Sequence, residues 1–183
     1  KIIPRSPQKL FLIVAINEES HDLSTDSVVS LITKVIEKIQ TESPRTKLYI
    51  QSLLPINESF GRYKTMTGKT DLIPEINRKL EALAKEKKIS FIHLFPLFTE
   101  KNSNVMRKEL TTDGLHLTEE GYRIWSKALK RYLYQIPFQI YSLSAAISSN
   151  VTTFLLIEIS PSFIILFISF ESAGRVTPRY SAN

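Results

Sequence analysis

Cysteine is absent from the 183 residues, and histidine occurs only at His21, His93 and His116. The lack of cysteine excludes disulfide scaffolds, cysteine-ligated zinc or iron–sulfur centres, and thiol catalysis. With so few histidines, a three-histidine zinc site would have to use all of them. The sequence carries no metal-binding motif, and we predict neither a metal nor another cofactor.

The remaining composition fits one globular domain, with 43% hydrophobic and 23% charged residues. A formal net charge of +6 raises the question of nucleic-acid binding. However, basic and acidic residues alternate, as in Glu81, Lys85, Glu86, Lys87 and Lys88, which is typical of a solvated helix face. We therefore predict no nucleic-acid partner.

The chain divides into two regions of different composition. Residues 134–183 contain only Glu158, Glu171, Arg175 and Arg179 as charged residues and form an apolar, serine-rich extension. Residues 151–170 are long enough to span a bilayer at about 20 residues per crossing, but Glu158 and a proline argue against a span. A stretch of chance sequence, a buried hairpin and a weak membrane anchor all stay open. We favour a poorly integrated extension of uncertain structure.

The chain starts at Lys1, and neither an initiator methionine nor a signal-like segment precedes the first apolar run. We expect residues 1–133 to be the C-terminal part of a domain that is truncated at its N-terminus. Compartment and oligomeric state stay open.

Patterns typical of strands and patterns typical of helices follow one another in turn along residues 1–133. Residues 10–15 form a continuous apolar run typical of a strand covered on both faces, and an apolar stripe over residues 28–39 predicts a helix capped by Ser24 or Thr25. The pattern repeats with strands at 47–53 and 89–95, and with helices that we expect to begin at Asp71 and Thr118.

Such alternation predicts parallel strands joined by right-handed crossovers, and hence a three-layer α/β/α sandwich. Ligands of these sheets bind beyond the carboxyl ends of the strands. Three segments are expected there: residues 16–22, 55–63 and 96–116.

Two features in these segments can carry chemistry. Asp113 lies three residues before His116, so its carboxylate can orient the imidazole as a base. Asn17 follows the first strand, where its amide can donate to an oxyanion. Taken alone, each also fits an ordinary turn.

Three segments together carry a family resemblance: LFLIVAINEES (10–20), IQSLLPIN (50–57) and DGLHLTEEGYRIW (113–125). In this order and spacing, over about residues 9–133, the sequence resembles the SGNH (GDSL-type) hydrolases, especially their bacterial acetylesterase-like members. The resemblance implies a flavodoxin-like sheet and a serine esterase, with His116 as general base, Asp113 as its orienting partner and Asn17 in the oxyanion hole.

The same resemblance implies a small acylated substrate, such as an acetylated sugar, and family members of this type are often periplasmic or secreted. Asn57 lies in the segment that is similar to the family's substrate-side loop, and Arg62 and Tyr63 on the long loop can contact a carbohydrate or an acid group. We predict Asn57 and Arg62 as substrate-binding residues.

The sequence departs from the family pattern in two respects. Ala15 and Glu18 stand where glycine and aspartate flank the family's asparagine, and no Gly-Asp-Ser or Gly-x-Ser-x-Gly occurs. Ser20, Ser52 and Ser59 are only weak substitutes for the nucleophile. We therefore expect an esterase fragment that lacks its serine and leaves an open edge beside the first strand. The alternative is a non-catalytic α/β remnant or binding module, membrane-associated through residues 151–170.

Overall fold

A computed structural model of the chain describes residues 7–16, 24–133, 142–149, 152–160 and 163–170. Its helices and strands are β1 (Lys9–Ile16), α1 (Thr25–Glu42), β2 (Lys47–Gln51), α2 (Leu72–Glu86), β3 (Ser90–Ile92), α3 (Phe95–Phe98), α4 (Glu119–Leu133), β4 (Ser142–Ser149), β5 (Thr152–Ser160) and β6 (Phe163–Phe170).

The described strands form one sheet in the order β3-β2-β1-β6-β5-β4. Strand β1 pairs in parallel with β2 and β6, and β2 pairs in parallel with β3. Strand β5 runs antiparallel to its two neighbours, β4 and β6. The predicted parallel α/β architecture is confirmed for the half of the sheet that carries the helices.

Apolar residues of β1 face both sides of the sheet, because successive side chains of a strand alternate. Leu10 and Leu12 pack with α1 and α2 in one core, whereas Phe11 packs with Leu129 of α4 in the other. Helices therefore cover both faces, which gives the predicted three layers. Ile32 in the centre of α1 is fully buried, so truncation to alanine there costs about 2–5 kcal/mol.

Two of the three predicted helix caps are confirmed. The Ser24 hydroxyl accepts the Ser27 N–H at 3.1 Å, and the Thr118 hydroxyl accepts the Gly121 N–H at 3.3 Å. The predicted cap at Asp71 is wrong, because this residue already has helical backbone angles and its side chain makes no cap bond. Its carboxylate instead accepts a hydrogen bond from the Asn104 amide at 2.9 Å.

The third parallel strand is shorter than the predicted range 89–95. The backbone N–H groups of Leu94 and Phe95 both donate to the Ser52 hydroxyl at 2.9 Å rather than to a strand. As a result, β3 ends at Ile92 and the short helix α3 begins three residues later.

His93 falls within the predicted strand 89–95, but it lies just past the observed end of β3 at Ile92. Its side chain is exposed, with Nε2 3.2 Å from a Glu81 carboxylate oxygen. Its ring meets that of Phe91 edge-on, with the ring centroids 4.8 Å apart.

The expectation of an open edge beside β1 is also wrong. Strand β6 pairs with β1 along its whole length, from Lys9 opposite Phe163 to Ile16 opposite Phe170. Among the helices of the described ranges, none combines the length and the apolar character that crossing a bilayer requires.

Candidate active site

The predicted Asp–His pair lies in a tight turn that leads into α4. An isolated bridge between Thr111 and Leu117 closes the turn, and the Thr111 hydroxyl donates to the His116 carbonyl at 2.8 Å. The same hydroxyl oxygen accepts the Gly114 N–H at 2.9 Å. The chain folds back on itself here because Gly114 adopts a φ of +95°, which residues with a side chain rarely adopt.

This turn is joined to the loop that follows β2. The Asn57 N–H donates to the Gly114 carbonyl at 2.8 Å, and a Cβ atom at position 114 would lie 2.3 Å from the Asn57 carbonyl oxygen. The close approach demands glycine. It places the pair beside a loop that begins at the carboxyl end of β2, as expected for a ligand site of a parallel sheet.

Asp113 and His116 form the hydrogen bond that their spacing predicts. The Nδ1 atom of His116 is 2.8 Å from Oδ2 of Asp113. The aspartate side chain is only 9% exposed, whereas the histidine side chain is 65% exposed. An ionised carboxylate only accepts hydrogen bonds, so Nδ1 carries the proton and Nε2 is left as an acceptor. The pair is thus arranged as a base and its orienting group.

The Asp113 carboxylate is held in its ionised form. Burial acts to raise its pKa, but this is outweighed by hydrogen bonds from the backbone and side chain of His116, from the Leu115 N–H and from the Tyr63 hydroxyl. Together they keep the pKa of Asp113 well below its ordinary value. The carboxylate therefore stays charged at neutral pH and stabilises a protonated imidazole.

Tyr63 contacts the pair, a role that the sequence analysis did not predict for this loop residue. Its hydroxyl donates to Oδ2 of Asp113 at 2.9 Å and lies 3.3 Å from Nδ1 of His116. The contact joins positions 50 residues apart, through a loop without apolar periodicity. No local signal in the sequence points to it.

Asn57 is buried and linked to the surrounding loops. Its Nδ2 donates to the Met106 carbonyl at 2.7 Å, and its Oδ1 accepts from the N–H and the hydroxyl of Ser59 at 3.1 and 2.6 Å. Both ends of its amide are thus engaged within the loops.

Arg62 is exposed beside the pair. Its guanidinium carbon lies 5.8 Å from the centre of the Tyr63 ring, and it lines a shallow depression together with Asp113 and Gly114. A neighbouring cleft of about 620 Å³ shares Asn57 with this depression. The cleft is lined mainly by polar side chains of the loops after β2 and α3.

Asn17 lies outside the described residues, one position beyond the end of β1 at Ile16. Of the serines considered as substitutes for the nucleophile, Ser20 lies outside them too. Ser52 is buried and accepts two backbone N–H groups, and the Ser59 hydroxyl donates to Asn57. Across the part of the chain that the structure describes, no three histidine, aspartate or glutamate side chains are grouped to hold a metal ion.

A layered α/β fold with a His–Asp pair at the carboxyl edge of a parallel sheet is compatible with a hydrolase. The model of the GDSL-like lipase/acylhydrolase family matches residues 3–124. The chain belongs to this family, which confirms the predicted resemblance at that level.

Solved structures share the fold at low sequence identity. A protein from Streptococcus pneumonia described as a platelet activating factor is 21% identical, with a TM-score of 0.61, covering 72% of this chain and 86% of that one. A GDSL-like lipase from Bacteroides thetaiotaomicron is 15% identical, with a TM-score of 0.58 and coverages of 68% and 87%. An acetyl xylan esterase, AlAXEase, is 22% identical, with a TM-score of 0.54 and coverages of 70% and 68%. A search of curated protein sequences finds no match.

Proposed function

We propose that this chain carries the acid–base half of a serine acyl-ester hydrolase. The observation that supports the proposal is the 2.8 Å contact between Asp113 Oδ2 and His116 Nδ1, with the imidazole otherwise open to solvent. His116 acts as general base and then general acid through Nε2, and Asp113 orients it. Asn17 donates its amide to the oxyanion.

The reaction begins when a serine hydroxyl attacks the ester carbonyl and passes its proton to Nε2 of His116. The imidazolium then protonates the leaving alkoxide, and an acyl-serine remains. Water repeats the sequence and releases the acid. No Gly-Asp-Ser occurs in the 183 residues, and our proposal assigns the role of nucleophile to a serine on a segment outside this sequence.

The substrate that we propose is an acetyl or similar small acyl ester of a carbohydrate or other hydroxyl-rich alcohol. Two features support it: the polar lining of the cleft beside the pair, and the fold shared with a protein described as an acetyl xylan esterase. Arg62 contacts the alcohol side of the substrate. Asn57 acts by holding the Gly114 turn through its own N–H, since its amide is engaged with Met106 and Ser59.

The proposal is tested by p-nitrophenyl acetate hydrolysis in two preparations. The full 183-residue chain is expected to show no turnover that depends on His116. A fusion that adds the Gly-Asp-Ser segment of a family member before Lys1 is expected to gain activity, which His116→Ala abolishes and Asp113→Asn lowers by about 10⁴-fold. Labelling of the added serine by a fluorophosphonate reports its activation independently of turnover.

Two results would count against the proposal. His116-dependent turnover by the chain alone would show that it needs no added serine. A folded fusion whose serine is neither labelled nor active would favour the alternative, a non-catalytic binding module.

A further inference from the structure

We propose that Tyr63 is a positioning residue for the Asp113–His116 pair: its hydroxyl fixes the imidazole so that Nδ1 faces the carboxylate and Nε2 faces outward. Its effect on catalysis rests on the proposed function. Its effect on the imidazole does not, and the two are measured separately below.

The hydrogen bonds around Asp113 show that the Tyr63 hydroxyl acts as a donor to the carboxylate. Oδ1 accepts the N–H groups of Leu115 and His116 at 3.0 and 2.8 Å, and Oδ2 accepts from Nδ1 of His116 at 2.8 Å. The hydroxyl, 2.9 Å from Oδ2, donates to it, because an ionised carboxylate has no proton to give. All four contacts bring a donor to the carboxylate.

The tyrosine oxygen also lies beside the proton that the pair shares. It is 3.3 Å from Nδ1, and the two rings meet edge-on at 64°, with their centroids 6.1 Å apart. Nδ1 thus lies within hydrogen-bond distance of two oxygens, the nearer Asp113 Oδ2 and the Tyr63 hydroxyl. With 65% of its side chain exposed, His116 has little packing to restrain its ring. The Tyr63 hydroxyl is a second polar contact of Nδ1, and rotation of the imidazole ring would break it.

Tyr63 itself is fixed by the folded loop that carries it. The Glu58 carboxylate accepts the Gly68 N–H, the Thr70 N–H and the Thr70 hydroxyl, and so closes the loop on either side of Tyr63. The Tyr63 carbonyl accepts the N–H of the buried Met66 at 3.0 Å. The hydrogen-bonded loop therefore fixes the backbone at Tyr63, and with it the position of the hydroxyl beside the pair.

The test compares Tyr63→Phe with the matched control Tyr122→Phe in the full chain. Tyr122 is 53% exposed on α4, where its ring packs edge-on against Trp125. In protein labelled with ¹⁵N-histidine, NMR measures how fast the Nδ1 proton of His116 exchanges with water. Loss of one hydrogen bond at the pair is expected to speed exchange by about tenfold in Tyr63→Phe, with no change in Tyr122→Phe.

Thermal unfolding of each variant is recorded in parallel. Unchanged exchange in a folded Tyr63→Phe chain would overturn the proposal. So would a Tyr63→Phe chain that fails to fold, because the hydroxyl would then serve stability rather than position.

The catalytic consequence is measured in the serine-bearing fusion. There, Tyr63→Phe is expected to lower kcat by about tenfold and to leave KM unchanged, because the hydroxyl that the substitution removes is bonded to the pair and the ring is kept. An inactive fusion combined with hydroxyl-dependent exchange would refute the proposed function alone. An active fusion with the same kcat in both forms would refute the positioning role alone.

Discussion

Replacing Gly114 by alanine tests whether the close approach of two loops holds the Asp–His turn in place. Two effects combine at this position. An alanine at φ +95° pays a backbone strain of about 1–2 kcal/mol. Its Cβ would also lie 2.3 Å from the Asn57 carbonyl oxygen, which is backbone and has no flexible end to move aside.

Relief of this collision requires the loop after β2 to withdraw. That movement breaks the 2.8 Å hydrogen bond from the Asn57 N–H to the Gly114 carbonyl, at a cost of about 1–3 kcal/mol for a buried donor left unsatisfied. We therefore expect Gly114→Ala to lower the free energy of unfolding by about 2–5 kcal/mol in total, a large share of the 5–15 kcal/mol that small domains have.

Gly61→Ala is the matched control. Gly61 also has a positive φ, +65°, but nothing lies within 4 Å of a Cβ built there. Alanine at this position therefore causes only the backbone strain, which costs about 1–2 kcal/mol. Urea unfolding of both variants measures the difference, expected to be about 2 kcal/mol, or a midpoint separation of about 1 M. Equal destabilisation of the two variants would refute the reasoning, since the collision and the lost hydrogen bond would then contribute nothing.

Three further predictions concern the scaffold around the site. Asn77→Ala removes both bonds of a buried amide to the Leu53 backbone, at 2.7 and 3.1 Å, and should cost about 2–4 kcal/mol in urea unfolding; a loss below about 1 kcal/mol would contradict it. Ser24→Ala removes the α1 cap and should cost about 1 kcal/mol, which Ser24→Asp should restore. Hydrogen bonds outweigh burial and lower the pKa of both Asp113 and Glu58, so their stabilisation is complete above about pH 5 and is lost as pH falls further. The Tm should be flat from about pH 7 to 5 and then decline, less steeply for Asp113→Asn; an equal decline would refute the assignment.

The sequence predicted those parts of the fold that depend on local patterns. The apolar run of β1 indicated a strand covered on both faces, and Ser24 and Thr118 precede their helices as capping residues do. The pairing of Asp113 with His116 followed from a spacing of three residues in one turn. The caps and the pair have contact partners close along the chain, and the apolar run of β1 is itself a local pattern, so composition and spacing carry the information.

Features that depend on distant contacts were missed or predicted wrongly. The Tyr63 contact with Asp113 requires two loops to meet, and neither loop has a periodic pattern. Asp71 has the residue type of a cap, but its carboxylate has a partner in Asn104, 33 positions away. His93 has apolar neighbours in sequence, yet it lies just past the end of its strand. The N–H groups of the two residues that follow it donate to the Ser52 hydroxyl and not to a neighbouring strand. A side chain from another segment decides the outcome at each of these positions.

The pairing of β6 with β1 has a consequence for the order in which the protein can mature. Lys9 of β1 pairs with Phe163 of β6, so the middle of the sheet cannot be completed until nearly all of the described chain has left the ribosome. At about 5–20 residues per second, this interval lasts roughly ten to thirty seconds. During synthesis, the edge of β1 that later pairs with β6 has unpaired N–H and C=O groups, to which strands of other chains can bind. A chaperone that covers this edge would raise the yield of native protein.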